Sequence, residues 1–422
     1  MNQNGMFLSE QDGYEKFHIY PQWGLLNDPN GLCYFKGRYH VFYQWNNQAV
    51  NHHHKVWGHV TSSDLLHWER QPIALAADQP YDAGGVYSGS ALVYQNKLYL
   101  FYTGNIRDNK GESVASCQCW AVSTDGIHFT KLGPLVDVPK GYTRHVRDPK
   151  IWRVENTFYL LLGAQRTDLV GDVIYYESQD LKSWVFKGSL LQDQLLDQRG
   201  YMLECPDIIT LGEQQVLVVS PQGLSAQGNH WQNIHNTAYV VGNFDAKANK
   251  FKCTSALQEL DAGFEFYAPQ TLTHQDRTLM WGWAGMMSAE REANLPTVKT
   301  GWAHLLTTPR QLSLVDKQLK QLPPAELLVK ARPLPENETT FLEPGVYTAV
   351  IKPGWHLKLG SLTLTVDANH LRMIRKNWEN DGEDERSIPL SPEQKGLYLI
   401  IDQSIVEVFA QNGDFAMTAR FF

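Results

Sequence analysis

The stretch Asn27-Asp28-Pro29-Asn30-Gly31-Leu32-Cys33-Tyr34-Phe35-Lys36-Gly37-Arg38-Tyr39-His40-Val41-Phe42-Tyr43 reads as two short strands around a polar turn. Aromatic and β-branched residues flanking Lys36-Gly37 are a hairpin signal. The pattern returns four times. The second copy runs from Ala91 through Gln95-Asn96-Lys97 to Tyr102, and the third from Lys150 through Glu155-Asn156 to Leu161. The fourth runs from Asp207 through Gly212-Glu213 to Val219, and the fifth from Thr271 through Gln275-Asp276 to Trp281. A second repeat lies downstream of the hairpins. Ser63-Asp64-Leu65-Leu66-His67-Trp68 resembles Thr124-Asp125-Gly126-Ile127-His128-Phe129 and Gln179-Asp180-Leu181-Lys182-Ser183-Trp184, with a fainter copy at Phe244-Asp245. An Asp turn before an aromatic marks entry into an outer strand. Repetition of one supersecondary unit every roughly sixty residues points to a ring or a solenoid. Two hairpins per unit give a four-stranded blade, so the expectation is all-β: a five-bladed β-propeller.

Two proline clusters, Pro323-Pro324 and Arg332-Pro333-Leu334-Pro335, mark a boundary. The expected organisation is a propeller over residues 1–322, a linker over 323–337 with a short helix within Ala325 to Ala331, and a β-sandwich over 338–422. The sandwich strands are expected at 345–351, 362–366, 397–401 and 405–409, where apolar residues alternate with polar ones.

Composition narrows the function classes. The chain has 422 residues, a net charge of −8 and no basic run, which argues against nucleic acid. No apolar stretch is long enough to span a bilayer. The first residues lack the pattern of a secretory signal, so a cytoplasmic location is expected. Five cysteines, Cys33, Cys117, Cys119, Cys205 and Cys253, then read as free thiols. The Cys117-x-Cys119 spacing has no second pair, so alternation along a strand outweighs a metal site. Asn337-Glu338-Thr339 matches a glycosylation sequon and is expected to be idle. The aromatic share of 12% suits strands and sugar-binding platforms alike.

Three acids stand at similar places before hairpins: Asp28, Asp148 and Glu204. Each has a plain alternative. Asp28 lies among turn residues. Asp148 is next to Arg147, its natural ion-pair partner. Glu204 sits between Leu203 and Cys205, and Asp207 nearby competes as the acid that matters. Together they say more, because a ring would gather them around one axis, beside Tyr87-Ser88 and Tyr267. Clustered acids without equal numbers of cations are costly unless they do chemistry. Cleavage of a glycosidic bond requires a proton donor and a second carboxylate. An apolar setting keeps a carboxyl protonated, so Glu204 is the expected donor, Asp28 the nucleophile and Asp148 an ionised group tied to Arg147.

Asn27-Asp28-Pro29-Asn30-Gly31, Arg147-Asp148-Pro149 and Glu204-Cys205 resemble the signature motifs of the glycoside hydrolase family 32 β-fructofuranosidases. Tyr87-Ser88-Gly89-Ser90, Phe266-Tyr267-Ala268-Pro269-Gln270 and Gly301-Trp302-Ala303 are similar to further motifs of that family, in order along nearly the whole chain. Within the family the chain looks most like bacterial sucrose-6-phosphate hydrolases and intracellular invertases. The resemblance implies a retaining mechanism through a covalent fructosyl-enzyme. It assigns Asp28 as nucleophile, Glu204 as acid/base and Asp148 as transition-state stabiliser. It also implies fructose contacts from Asn27, Gln44, Trp57, Tyr87, Ser88 and Arg147, with Tyr267 and Trp283 near the leaving group. Neither cofactor nor metal is implied; the partner is a small sugar, sucrose, sucrose 6-phosphate or a short fructan. Leu25-Leu26, Leu203 and Tyr87 depart from the family pattern and bear on subsite shape. The end at Phe421-Phe422 suggests a shortened sandwich.

Consecutive His52-His53-His54-Lys55 read as a solvated loop, with a phosphate-receiving role as the alternative; Arg144, His145 and Arg291 are further candidates for that role. Other readings stay open: a fructan β-fructosidase, a fructosyltransferase, an inverting arabinan-type glycosidase and a non-catalytic sugar-binding propeller. Phosphate preference and oligomeric state are not set by the sequence.

Overall fold

The computed structural model describes residues 15–108, 110–111, 113–335, 343–391 and 396–422. The sequon at Asn337 and the first ten residues lie outside them. The regular structure of the described residues is almost entirely strand, with two short α-helices, Ala289–Ala293 and Ala325–Leu328. The second falls inside the stretch where a helix was expected. No helix among the described residues is long and apolar enough to cross a membrane.

Five antiparallel sheets occupy residues 24–322, each opened by one long strand. Those opening strands are Gly24–Phe35, Gly85–Tyr94, Tyr142–Val154, Met202–Leu211 and Tyr267–His274. Each turns back through a tight hairpin. Lys36-Gly37, Gln95-Asn96 and Gln275-Asp276 have positive φ at both turn residues, the geometry that matches strand twist. The Asp repeats are equivalent turns. The Oδ1 atoms of Asp64, Asp125 and Asp180 each accept from the backbone N–H groups two and three residues on. Asp245 does the same.

The opening strands neighbour one another in cyclic order, the fifth touching the first. Their packing follows from period-two alternation. In the strand Thr157–Arg166, Phe158, Leu160 and Leu162 pack toward the second sheet, while Tyr159 and Leu161 pack toward the fourth. Each pair of adjacent sheets shares a cluster of this kind. Val41 and Tyr43 of the first sheet meet Leu279 and Trp281 of the fifth. With both faces covered, each fully buried Leu or Phe contributes about 1.5–3 kcal/mol. The fifth sheet is also stitched to the first by the strand Trp302–Ala303, which pairs in parallel with Gly24 and Leu25.

Two further sheets follow, of five and four strands, and enclose their own core of Leu357, Leu364, Met373, Leu399, Val408 and Met417. The strands Gly345–Val350, Leu362–Val366, Gly396–Ile401 and Ile405–Ala410 match expectation. Four more were not foreseen, among them His370–Lys376 and Phe415–Arg420. Buried arginines, Arg375 and Arg420, stand in these two strands where an apolar residue is expected and mask the pattern. The edge strand Arg332–Pro333 joins this part from within the expected linker.

Candidate active site

All five opening strands carry the same irregularity. Between Leu26 and Pro29 the strand advances three residues while its partner advances two, from Trp45 to Tyr43. The same extra residue occurs between Val86 and Gly89, Arg147 and Lys150, Glu204 and Asp207, and Tyr267 and Gln270. A bulge bends the strand and re-aims its side chains. The backbone pays for it locally: Asp148, Cys205 and Ala268 sit at positive φ. By ladder position, Asp28 is the second residue inside its bulge, Asp148 the first, and Glu204 the one before. The equivalence of the two Asp-Pro pairs expected from sequence is therefore displaced by one residue.

The bulges bring Asp28, Asp148 and Glu204 to the wall of one cavity of about 400 Å³. Asn27, Gln44, Tyr87, Arg147, Tyr267 and Trp283 also line it. Two expected contacts do not. Trp57 is fully buried behind the wall, packed on Phe42 and Tyr102, and donates from Nε1 to the Tyr87 carbonyl. Ser88 is likewise buried, and its Oγ donates to Asp28 Oδ2 at 2.5 Å. Both support the site from outside the cavity.

Charge is arranged differently from expectation. Arg147 does not tie Asp148. Its Nε donates to Glu204 Oε1 at 2.7 Å, with a terminal nitrogen 2.6 Å from the same oxygen. Glu204 Oε2 accepts from Gln222 Nε2 and Tyr267 Oη, each at 2.6 Å. The apolar neighbours Leu203 and Cys205 are buried in the sheet and do not surround the carboxyl. Burial would raise the Glu204 pKa, but the Arg147 charge and the Tyr267 hydrogen bond outweigh it and hold the group below its ordinary value. Asp148 shows the reverse. Burial and the Glu204 charge push it up to about 7, against Arg147 and one hydrogen bond from the Cys205 N–H. Burial also raises Asp28, with Ser88 opposing and Glu204 adding to the rise. Burial and mutual repulsion therefore push Asp148 and Asp28 up while Arg147 and Tyr267 hold Glu204 down.

Asp207, the rival acid, is fully buried and structural. It is 2.9 Å from Lys150 Nζ and accepts from Thr271 N and Oγ1. Of the phosphate candidates, His52, Lys55, Arg144 and His145 line the cavity. Arg291 is paired with Glu379 and Asp384 and does not. Arg107 and Gln222 were missed. Arg107 lines the cavity from the second sheet, with its guanidinium on the Tyr87 hydroxyl and the Gly111 carbonyl. No motif surrounds either residue, so only the three-dimensional position finds them. Cys117 and Cys119 are adjacent on one face, Sγ to Sγ 3.5 Å, and remain free.

The model of the glycosyl hydrolases family 32 N-terminal domain matches residues 18–323, and that of the C-terminal domain matches 361–422. The chain belongs to glycosyl hydrolase family 32. The sucrose-6-phosphate hydrolase of Salmonella typhimurium is 41% identical over 97% of this chain and 88% of its own length. That of Bacillus subtilis (strain 168) is 38% identical with the same coverage. Among solved structures, the sucrose-6-phosphate hydrolase from Lactobacillus gasseri superimposes with a TM-score of 0.87 at 30% identity, covering 98% of this chain and 90% of that one. The Bombyx mori GH32 beta-fructofuranosidase gives 0.81 at 28% identity, over 97% and 89%.

Proposed function

We propose that this chain is a retaining β-fructofuranosidase that releases fructose from sucrose 6-phosphate or sucrose. The observation that carries it is the convergence of three carboxyls from three sheets on one sugar-sized cavity, in a chain of this family. Asp28 attacks the anomeric C2 of the fructosyl unit as the bond to the glucosyl oxygen breaks. That oxygen takes a proton from Glu204. Water, deprotonated by Glu204, then attacks C2 and frees Asp28. Glu204, held below its ordinary pKa by Arg147 and Tyr267, must be protonated before it can donate. Fructose hydroxyls donating to Asp148 favour its ionised form, and the resulting charge beside Glu204 raises the partner's affinity for the proton. Asp148 then stabilises the positive charge that develops on the sugar ring. Asn27, Gln44, Tyr87 and Arg147 are the proposed fructose contacts, with Tyr267 and Trp283 toward the leaving group.

Two cavity arginines without a carboxylate partner favour the phosphorylated substrate. Arg107 and Arg144 both line the cavity, and neither has a carboxylate partner among the described residues. A dianionic phosphate supplies what they lack. Five sheets in cyclic contact support a five-bladed propeller over residues 1–322, a linker over 323–337 and a sandwich over 338–422. The free thiols suit a reducing cytoplasm.

The test is fructose release from sucrose and sucrose 6-phosphate side by side, with methanol as a competing acceptor. Methyl β-fructofuranoside as the transfer product is the expected sign of retention; the α anomer would reverse it. Arg144→Ala is expected to lower kcat/KM about tenfold on the phosphorylated sugar alone, as loss of a partly exposed charge-assisted contact does. Equal efficiency on the two sugars in the wild type would remove the phosphate preference and leave the fructosidase reading intact.

A further inference from the structure

Lys55 is a cavity-lining lysine with no carboxylate partner of its own. It is almost fully buried, and its Nζ donates to Asn27 Oδ1 at 2.6 Å. Asn27 Nδ2 donates to Gln44 Oε1 at 2.6 Å and to Asp28 Oδ1 at 3.2 Å. Gln44 Nε2 donates to Ser88 Oγ at 2.5 Å, and Ser88 Oγ donates to Asp28 Oδ2 at 2.5 Å. Every link runs the same way. The two ends explain why. Burial pulls the Lys55 pKa down to about 7 against the charges of Asp28 and Glu292; in its ammonium form the group can only donate, and a carboxylate can only accept. A donor-only head obliges Asn27 to present its oxygen, which turns its amide nitrogen toward Gln44 and Asp28. Gln44 must then offer its own nitrogen to Ser88, whose single proton is left for Asp28.

A second branch leaves the same ammonium. Nζ is 3.3 Å from His52 Nδ1, while His52 Nε2 lies 3.0 Å from Glu292 Oε2. His304 Nε2 reaches that oxygen at 2.8 Å. With Lys55 donating to Nδ1, the proton of a neutral His52 resides on Nε2 and faces Glu292. The branch fixes the lysine from the cavity rim, so its position does not rely on Asn27 alone.

We propose that Lys55 is a positioning residue for the nucleophile: it sets the direction of the Asn27–Gln44–Ser88 donor chain and so holds both Asp28 oxygens in the attacking orientation. This rests on Asp28 being the nucleophile. Without the ammonium, Asn27 Oδ1 loses its donor inside the protein, the two amides are free to flip, and the serine proton is no longer committed to Asp28. Sub-ångström misplacement of a reacting group is enough to lower the chemical step substantially.

The experiment is a double-mutant cycle on fructose release, with Lys55→Met and Ser88→Ala made singly and together. Lys55 and Ser88 do not touch; two amides separate them. Lys55→Met is expected to lower kcat at least tenfold with KM changed less than threefold. In the Ser88→Ala background, where the chain is already cut, the same change is expected to lower kcat less than threefold. Lys55→Arg, which keeps a charged donor, is expected to stay within fivefold of the wild type. Equal losses in both backgrounds overturn the proposal, because a lysine that binds sugar directly or only fills space acts independently of Ser88. A Lys55→Arg variant as slow as Lys55→Met overturns it too. If Lys55→Met does not fold, Lys55→Gln carries the same cycle. Loss of fructose release in Asp28→Asn tests the underlying reading separately, since the cycle compares only ratios among active variants.

Discussion

Two buried carboxyls in this molecule, Asp148 and Glu407, are held in opposite ways. One lines the cavity; the other lies where the fifth sheet meets the C-terminal sheets. At that contact Glu407 is fully buried and every lone pair has a donor. Oε1 accepts from Thr308 N and Oγ1 at 2.8 and 2.6 Å and lies 3.2 Å from His18, while Oε2 accepts from Arg310 at 3.0 and 2.9 Å. Burial would raise its pKa, yet Arg310 and His18 hold it at about 2. Asp148 in the cavity is 4% exposed, nearly as buried, and is pushed up to about 7. Burial therefore does not separate the two. Compensation does. The contact between the two parts surrounds Glu407 with donors for cohesion, and the cavity, which pairs Glu204 with Arg147, leaves Asp148 short of partners so that a substrate completes it.

Four measurements sharpen or break that contrast. The largest effect is expected from Asp28→Asn: kcat falls by about four orders of magnitude, as for loss of a nucleophile or its activating acid. The melting temperature stays close to the wild type; substantial residual turnover would mean that another group attacks. Next comes Glu407→Gln, which takes from buried Arg310 one of its two carboxylates and leaves Asp261 as the other. Breaking a buried pair in this way costs about 3–5 kcal/mol, read by denaturant unfolding, while turnover per folded molecule is unchanged. A loss below about 1 kcal/mol would show that the contact does not depend on the pair.

Asp148→Asn is expected to act in the opposite sense, losing activity but gaining stability. Its folded pKa is about 7 against an ordinary 3.8, so ionising it opposes folding increasingly as pH rises between those values. Relief of that burden is on the order of 2–4 kcal/mol at pH 8 and absent below the ordinary carboxylate range. A melting temperature that falls at pH 8 would refute the under-compensation of the cavity.

The smallest effect is the pH profile of unfolding. Glu407, depressed from 4.5 to about 2, adds stability that is complete above 4.5 and lost as pH falls toward 2. For His18 burial alone would lower the pKa, but Asp402 and Glu407 lift it from 6.5 to about 9. Its contribution is complete below 6.5 and lost as pH rises through 9. The contribution of this pair is therefore greatest between 4.5 and 6.5. In Glu407→Gln the acid limb should flatten; an unchanged profile would place the titration elsewhere.

Much of this was legible in the chain. The hairpins, the Asp turns at 64, 125 and 180, and the stretches around Asp28, Asp148 and Glu204 are local patterns, and short-range sterics write them into consecutive residues. Charge compensation was not legible. Arg147 is next to Asp148 in sequence, yet its guanidinium reaches Glu204 from the neighbouring sheet. Trp57 matches a sugar-contact motif but stands behind the wall, because alternation assigns a face and says nothing of depth.

By itself the sequence determined strand, turn and order: aromatic and β-branched alternation with two-residue turns admits little else. Tertiary structure alone decided how the five bulges are aimed, which carboxyls are pushed up and which is held down, and that a loop lysine is the head of a donor chain ending on Asp28. Those outcomes depend on distances of about 3 Å between groups tens of residues apart, and hydrogen-bond and Coulomb energies are set by such separations, not by position along the chain.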